Sequence, residues 1–161
     1  MWLTISEIIR NTNFTVADTI VWKKKSAMPN NVSKNKLTRI VEYIFVMCRK
    51  EEFNTFNCNK QVKSVSRVGQ KYYENVFNYI EARNNDGACN LNKATYSSEL
   101  CDKLLEVYGK KGILVYDSFM GTGTTAISCI NKEMNYLGSE LSVEQCNYAK
   151  ERIKNHRGMG E

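Results

Sequence analysis

The chain has 161 residues, 42% of them apolar and 25% charged, with a formal net charge of +6. That content suits one domain or a piece of a larger one and excludes a disordered tail. No apolar run is long enough to span a bilayer and the first residues show no secretory pattern, so a cytoplasmic location and a polyanionic partner are expected.

Thr4-Ile5-Ser6-Glu7 reads as a capping box, with Thr4 as N-cap of a helix whose apolar face is Ile5, Ile8 and Ile9. Residues 14–22 are rich in β-branched side chains and predict a strand. Residues 23–36 are polar, contain the only proline, Pro29, and predict a loop. The near-continuous apolar run 40–47 predicts a second, mostly buried strand. Residues 49–71 turn to Asn, Lys, Ser and Arg and read as a loop-rich excursion; Tyr73, Val76, Phe77 and Ile80 then have helical spacing. Asn84-Asn85-Asp86-Gly87 is a turn signal.

Ser97 can cap a helix with Leu100, Leu104, Val107 and Tyr108 on its apolar side, ended by Gly109-Lys110-Lys111-Gly112. Residues 113–116 predict a short buried strand, Gly121-Thr122-Gly123 a tight loop, 124–129 a helix and 135–138 another strand. Ser142 caps a last helix with Val143, Cys146, Ala149 and Ile153 on one face. Cysteines at 48, 58, 89, 101, 129 and 146 include no Cys-x-x-Cys pair, and His156 is the sole histidine, so no zinc site is expected. Free thiols are expected, most of them small buried hydrophobes; nothing near Cys58 or Cys89 argues for a reactive one.

The chemistry concentrates in one unit: strand, Gly121-Thr122-Gly123, helix, strand, Glu140. Glycines let backbone turn sharply and approach a ligand closely, and a following helix aims free N–H groups at the loop. An acidic residue at the tip of the next strand can accept ribose hydroxyls. The pattern predicts a nucleoside-cofactor site at the carboxyl ends of parallel strands. No Gly-Lys-Ser/Thr occurs, which disfavours a phosphate-cradling loop; Ala126 or a neighbour stands where a dinucleotide site keeps its third glycine, which favours a cofactor without pyrophosphate.

Asp117-Ser118-Phe119-Met120-Gly121-Thr122-Gly123-Thr124-Thr125 resembles the Asp-Pro-Phe-x-Gly-Ser/Thr-Gly-Thr motif of the DNA amino-methyltransferases. Asn135-Tyr136-Leu137-Gly138-Ser139-Glu140-Leu141 resembles the family's next strand, and Ala94-Thr95-Tyr96-Ser97 the segment before the motif. Thr19-Ile20-Val21-Trp22-Lys23-Lys24, with Arg39 and Glu42, resembles its Trp-x-Lys and Arg-to-Glu strands. The resemblance implies an α/β, Rossmann-like S-adenosylmethionine-dependent methyltransferase fold, with transfer to adenine N6 or cytosine N4 of double-stranded DNA. Adenine is the commoner acceptor. On this sequence it makes Asp117, Phe119, Gly121, Thr122, Gly123 and Thr124 cofactor-binding, sets Ala94, Thr95 and Tyr96 around the methionine end, and gives Glu140 the ribose.

The order implies a permuted arrangement with the catalytic motif N-terminal to everything here. Three departures stand out. Ser118 replaces proline, Lys93 replaces a frequent His-Pro, and the Asp/Asn/Ser-Pro-Pro-Tyr/Phe motif is absent, since Pro29 is the sole proline. No catalytic residue is therefore assigned. The expectation is one partial domain: 1–48 as a helix and two strands, 49–92 as a recognition-type segment, and 93–155 as the cofactor-binding part. Its central catalytic strand is missing, which implies a truncated gene, a split enzyme whose N-terminal half is supplied by another polypeptide, or an excerpt of a longer protein, and the chain alone is expected to be inactive. Lys23, Lys24, Lys25, Arg67 and Lys71 are candidate DNA contacts, with Lys60, Lys63, Gln61 and Gln70 in the recognition segment. Alternative readings are a non-catalytic DNA-binding or regulatory remnant, and an RNA or small-molecule methyltransferase.

Overall fold

The computed structural model describes residues 2–87, 91–92 and 94–158, so Cys89 and Lys93 lie outside the described residues. The chain forms two compact units: Met1–Lys24 with Met28–Glu81, and Lys25–Ala27 with Ala82–Glu161.

In the first unit, α1 (Trp2–Asn11) precedes β1 (Phe14–Lys24) and β2 (Val41–Arg49), which pair antiparallel from Phe14↔Arg49 to Lys23↔Val41. A short 3-10 turn, Lys50–Glu52, follows. β3 (Val62–Val65) and β4 (Lys71–Tyr73) form a separate antiparallel ribbon, and β5 (Tyr79–Ala82) joins the other edge of β1. Ile20, Trp22, Cys48 and Ile80 are its buried apolar residues.

Four expectations do not hold in this unit. The helix starts before Thr4, so Thr4 is no cap; Glu7 instead accepts from the Arg10 and Asn11 side chains. Lys23 and Lys24 belong to β1 rather than to a loop. β2 lies at a sheet edge, and only Cys48 in it is buried. No helix occupies 73–80; burial alternates at Ile80 and Ala82 with a strand's period of two, while Val76 and Phe77 are exposed.

The second unit is a β–α–β block. α2 (Ser98–Tyr108) is capped by Ser97, whose Oγ accepts from Leu100 N–H and donates to Arg83 O at 2.7 Å. β6 (Leu114–Asp117) leads into α3 (Thr124–Asn131), then β7 (Asn135–Gly138) runs parallel to β6, and α4 (Val143–Gly158) closes the unit. The Ser142 hydroxyl accepts from Gln145 N–H at the start of α4.

Thr124, Thr125, Ala126, Ile127, Ser128 and Cys129 are all buried, because α3 is made of small side chains that other elements can approach closely. It packs against α2, β7 and α4. β6 is not the buried strand the sequence predicts: Leu114 is 61%, Tyr116 58% and Leu137 55% exposed. These three share the sheet face opposite Val115 and Tyr136, because Tyr116 and Leu137 are register partners. The fold is thus a partial Rossmann-like sheet with one face of its parallel pair uncovered. Among the described residues, no helix is long and apolar enough to cross a membrane.

Candidate cofactor site

β6 delivers Asp117 to the head of the loop, and that carboxylate organises it. Its Oδ1 accepts Phe119 N–H at 3.0 Å; its Oδ2 accepts the Thr125 hydroxyl at 2.5 Å and the Tyr96 hydroxyl at 3.1 Å. The Thr125 and Tyr96 oxygens stand 2.5 Å apart, so two hydroxyl protons are shared among these three oxygen–oxygen contacts, and burial raises the Tyr96 pKa, keeping the phenol neutral. A carboxylate has about four acceptor positions. Phe119 N–H and the Thr125–Tyr96 hydroxyl pair occupy up to three of these, so Asp117 holds the loop's shape and ties it to the segment before α2.

The turn is closed by Met120 N–H to Ser139 O at 2.9 Å and Gly123 N–H to Met120 O at 3.0 Å. Gly121 and Gly123 have φ of +54° and +84°, the left-handed region where side chains are strained. Gly123 is also the N-cap of α3. A Cβ on Gly123 would lie 3.1 Å from Ala149 Cβ, so α4 packs directly on this glycine.

Glu140, just past β7, bridges the two strand ends. Its Oε2 accepts Gly121 N–H and its Oε1 accepts Ser142 N–H, both at 2.8 Å. These N–H groups, Ser142 first and then Gly121, lower the Glu140 pKa, so it stays ionised. Each oxygen retains a lone pair. An ionised carboxylate held at the carboxyl ends of parallel strands, with spare acceptors, can receive a pair of vicinal hydroxyls.

Thr95, Tyr96, Thr122 and Thr124 line a pocket of about 160 Å³ with Asp86, Gly87, Tyr148 and Arg152. Gly121 and Glu140 line another of about 290 Å³ with Met120, Tyr136, Gly138, Cys146, Ala149, Lys150 and Ile153. Both fall below the roughly 300–1,000 Å³ of ordinary ligand sites. Phe119 is 87% exposed and lines neither pocket. Ala94 is exposed, its N–H held by Asn92 Oδ1. The cavity of about 470 Å³ beside Ile127, Tyr148 and His156 holds none of the loop or Glu140.

The sequence reading missed Asn92, Gln145 and Arg152. Asn92 donates to Gln145 Oε1 at 2.9 Å, and a Cβ on Gly121 would sit 3.5 Å from the Asn92 amide. Arg152 donates to Thr122 O and Thr124 Oγ1, both at 3.2 Å. No local signal marks them; α4 carries two of the three to the loop.

Of the candidate DNA contacts, three have carboxylate partners. Lys23 pairs with Glu81 at 3.3 Å, Lys24 with Glu42, and Lys25 with Glu99 at 2.5 Å. Lys25 foremost, with Arg83 N–H, holds Glu99 at about 2. Arg67 and Lys71 sit on the exposed ribbon, and neither has an ion-pair partner among the described residues. Cys48, Cys58, Cys101, Cys129 and Cys146 are free thiols; burial pushes Cys129 up to about 11 and raises Cys101 too, which leaves both inert. Among the described residues no His/Cys/Asp/Glu group could hold a metal.

A glycine loop between parallel strands with an acid at the second strand's end defines a nucleoside-cofactor fold. The chain belongs to the DNA methylase family of N6/N4 methyltransferases, whose model matches residues 3–151. It is 28% identical over 178 residues to the orphan methyltransferase M.BamHII of Bacillus amyloliquefaciens, a match covering 91% of this chain and 65% of that protein. The structure of the M1.HpyAVI–SAM complex aligns with TM-score 0.63 at 26% identity, over 94% of this chain and 68% of that one. The cytosine-N4-specific PvuII DNA methyltransferase shares the fold, with TM-score 0.70 at 15% identity over 98% of this chain and 61% of that one. The chain therefore spans about two thirds of the length of these proteins.

Proposed function

We propose that this chain is the cofactor-binding part of an S-adenosylmethionine-dependent DNA amino-methyltransferase, in the permuted order with the catalytic motif outside these residues. The observation that carries the reading is the Glu140 carboxylate joined to Gly121 N–H at 2.8 Å. It puts a ribose acceptor and a left-handed glycine, where a ligand can approach backbone, side by side. The cofactor supplies an electrophilic methyl sulfonium. Glu140 orients the ribose, the loop from Asp117 to Thr124 admits the methionine end, and Ala94, Thr95 and Tyr96 flank it.

The exocyclic amine of a base is a weak nucleophile, and the base must leave the stack to reach a cofactor. A polar clamp and a stacking ring position that amine. The Pro-Pro-Tyr/Phe motif that does so in the family is absent from these residues, so we assign the clamp to another segment or polypeptide, acting in the cytoplasm. The acceptor we carry is adenine N6; finding N4-methylcytosine instead overturns that choice alone.

Calorimetry on the purified chain should show saturable S-adenosylmethionine binding, with no transfer until a Pro-Pro-Tyr-bearing polypeptide is added. A folded chain that ignores the cofactor yet binds DNA in a salt-sensitive way supports the non-catalytic remnant instead.

We assign DNA contact chiefly to Arg67 and Lys71 on the ribbon; Lys23, Lys24 and Lys25 are secondary because carboxylates oppose them. A two-stranded ribbon fits the major groove. Arg67→Ala or Lys71→Ala should lower the salt slope of binding by about 0.9 for each DNA phosphate that the side chain neutralises. An unchanged slope with unchanged affinity removes that residue from the interface.

A further inference from the structure

We infer that Arg152 is a positioning residue for the cofactor loop, acting through the Thr122 carbonyl and the Thr124 hydroxyl. The function of the loop rests on the reading above; the geometry of Arg152 does not. Its Nη1 donates to Thr122 O and Thr124 Oγ1, both at 3.2 Å. Its Nη2 lies 3.7 Å from Asp86 Oδ2. Thr122 and Thr124 flank Gly123 and both are buried. One planar guanidinium from α4 therefore grips the loop on either side of its left-handed glycine and reaches a carboxylate on a second segment.

Asp86 is itself fixed. Its Oδ2 accepts Ser98 N–H at 2.8 Å at the start of α2, and its Oδ1 lies 3.6 Å from Arg83 Nη2. Arg83 in turn faces Glu99, which Lys25 and Lys103 also engage. The chain of charges runs from the first turn of α2 to the Gly-Thr-Gly turn. A backbone carbonyl held by a fixed guanidinium resists rotation, and rotation of the Thr122–Gly123 peptide would break the Gly123 N–H bond to Met120 O that closes the turn. Lysine cannot reproduce this grip, because its ammonium is a point charge without a planar fork.

Hydrogen exchange on the free 161-residue chain tests this without any cofactor. The Gly121 and Gly123 amides are hydrogen-bonded, to Glu140 and Met120 O. Arg152→Ala should speed their exchange about tenfold or more. It should leave the α3 interior amides and the urea midpoint near wild type. Arg152→Lys, which keeps charge and stem, should likewise keep the midpoint but should not restore the slow exchange, and Asp86→Asn should give a smaller effect on exchange in the same direction. S-adenosylhomocysteine binding should weaken in parallel with loop exchange across the three variants. Unchanged Gly121 and Gly123 exchange in Arg152→Ala overturns the proposal. So does a midpoint that falls in step with exchange and is rescued with it by lysine, since that marks a helix staple only. Wild-type failure to bind cofactor sinks the functional reading and leaves the exchange result to stand or fall alone.

Discussion

Gly123→Val should abolish S-adenosylmethionine binding and destabilise the second unit by about 2–5 kcal/mol. Two effects combine. A β-branched residue at φ +84° sits in the left-handed region, which costs about 1–2 kcal/mol. The added Cβ would also meet Ala149 Cβ at 3.1 Å and its Cα at 3.5 Å, and overpacking of this kind costs about 1–3 kcal/mol. Ala149 is buried, so α4 cannot give way without opening its contact with α3. Urea unfolding measures the change in stability and calorimetry the change in binding. Gly121→Ala separates them: a Cβ there meets its neighbours at 3.5 Å or more, so only the left-handed strain at φ +54°, about 1–2 kcal/mol, is added while the ligand's approach is obstructed. Full-affinity binding by both variants would refute the loop assignment.

Glu140→Ala should weaken cofactor binding about ten- to a hundredfold. The change removes the proposed ribose acceptor and leaves the N–H of buried Gly121 without its carboxylate partner. Glu140→Gln, which keeps one oxygen, should fall between. The pH dependence has a definite sign. The folded pKa is depressed below the ordinary 4.5, so the carboxylate's contribution is fully present above that value and is lost as pH falls through the lower folded value. Wild-type affinity should hold from neutral pH through the ordinary 4.5 and drop only below it, with Glu140→Ala showing no such drop. Wild-type-like affinity in Glu140→Ala would remove the residue from the site.

The β–α–β unit was legible because its logic is local. Ser97 caps α2, and the strand–loop–helix–strand from Leu114 to Gly138 closes over a short stretch with glycines where φ is positive. The ribbon of β3 and β4 was not legible, because adjacent polar Lys63 and Ser64 in β3 break the apolar–polar alternation that marks a strand against a core. β5 was misread because Tyr73, Val76, Phe77 and Ile80 are spaced like a helix, yet only Ile80 of these is buried. The burial of β2 and β6 was overestimated because an apolar run reports what a strand is built to bury, and a covering layer is a separate matter. Arg152 was invisible for a different reason: it lies 30 and 28 positions from Thr122 and Thr124, and only the packing of α4 brings them together.

The exposure of the ribbon also bears on how such a chain can change. From Gln61 to Tyr79 every residue is exposed except half-buried Ser66. Side chains there contribute little to folding, and surface substitutions usually shift stability by no more than about 0.5 kcal/mol. Drift along this stretch is therefore nearly silent for the rest of the molecule. This surface could change many times over while Asp117, Gly121, Gly123 and Glu140 stay as they are.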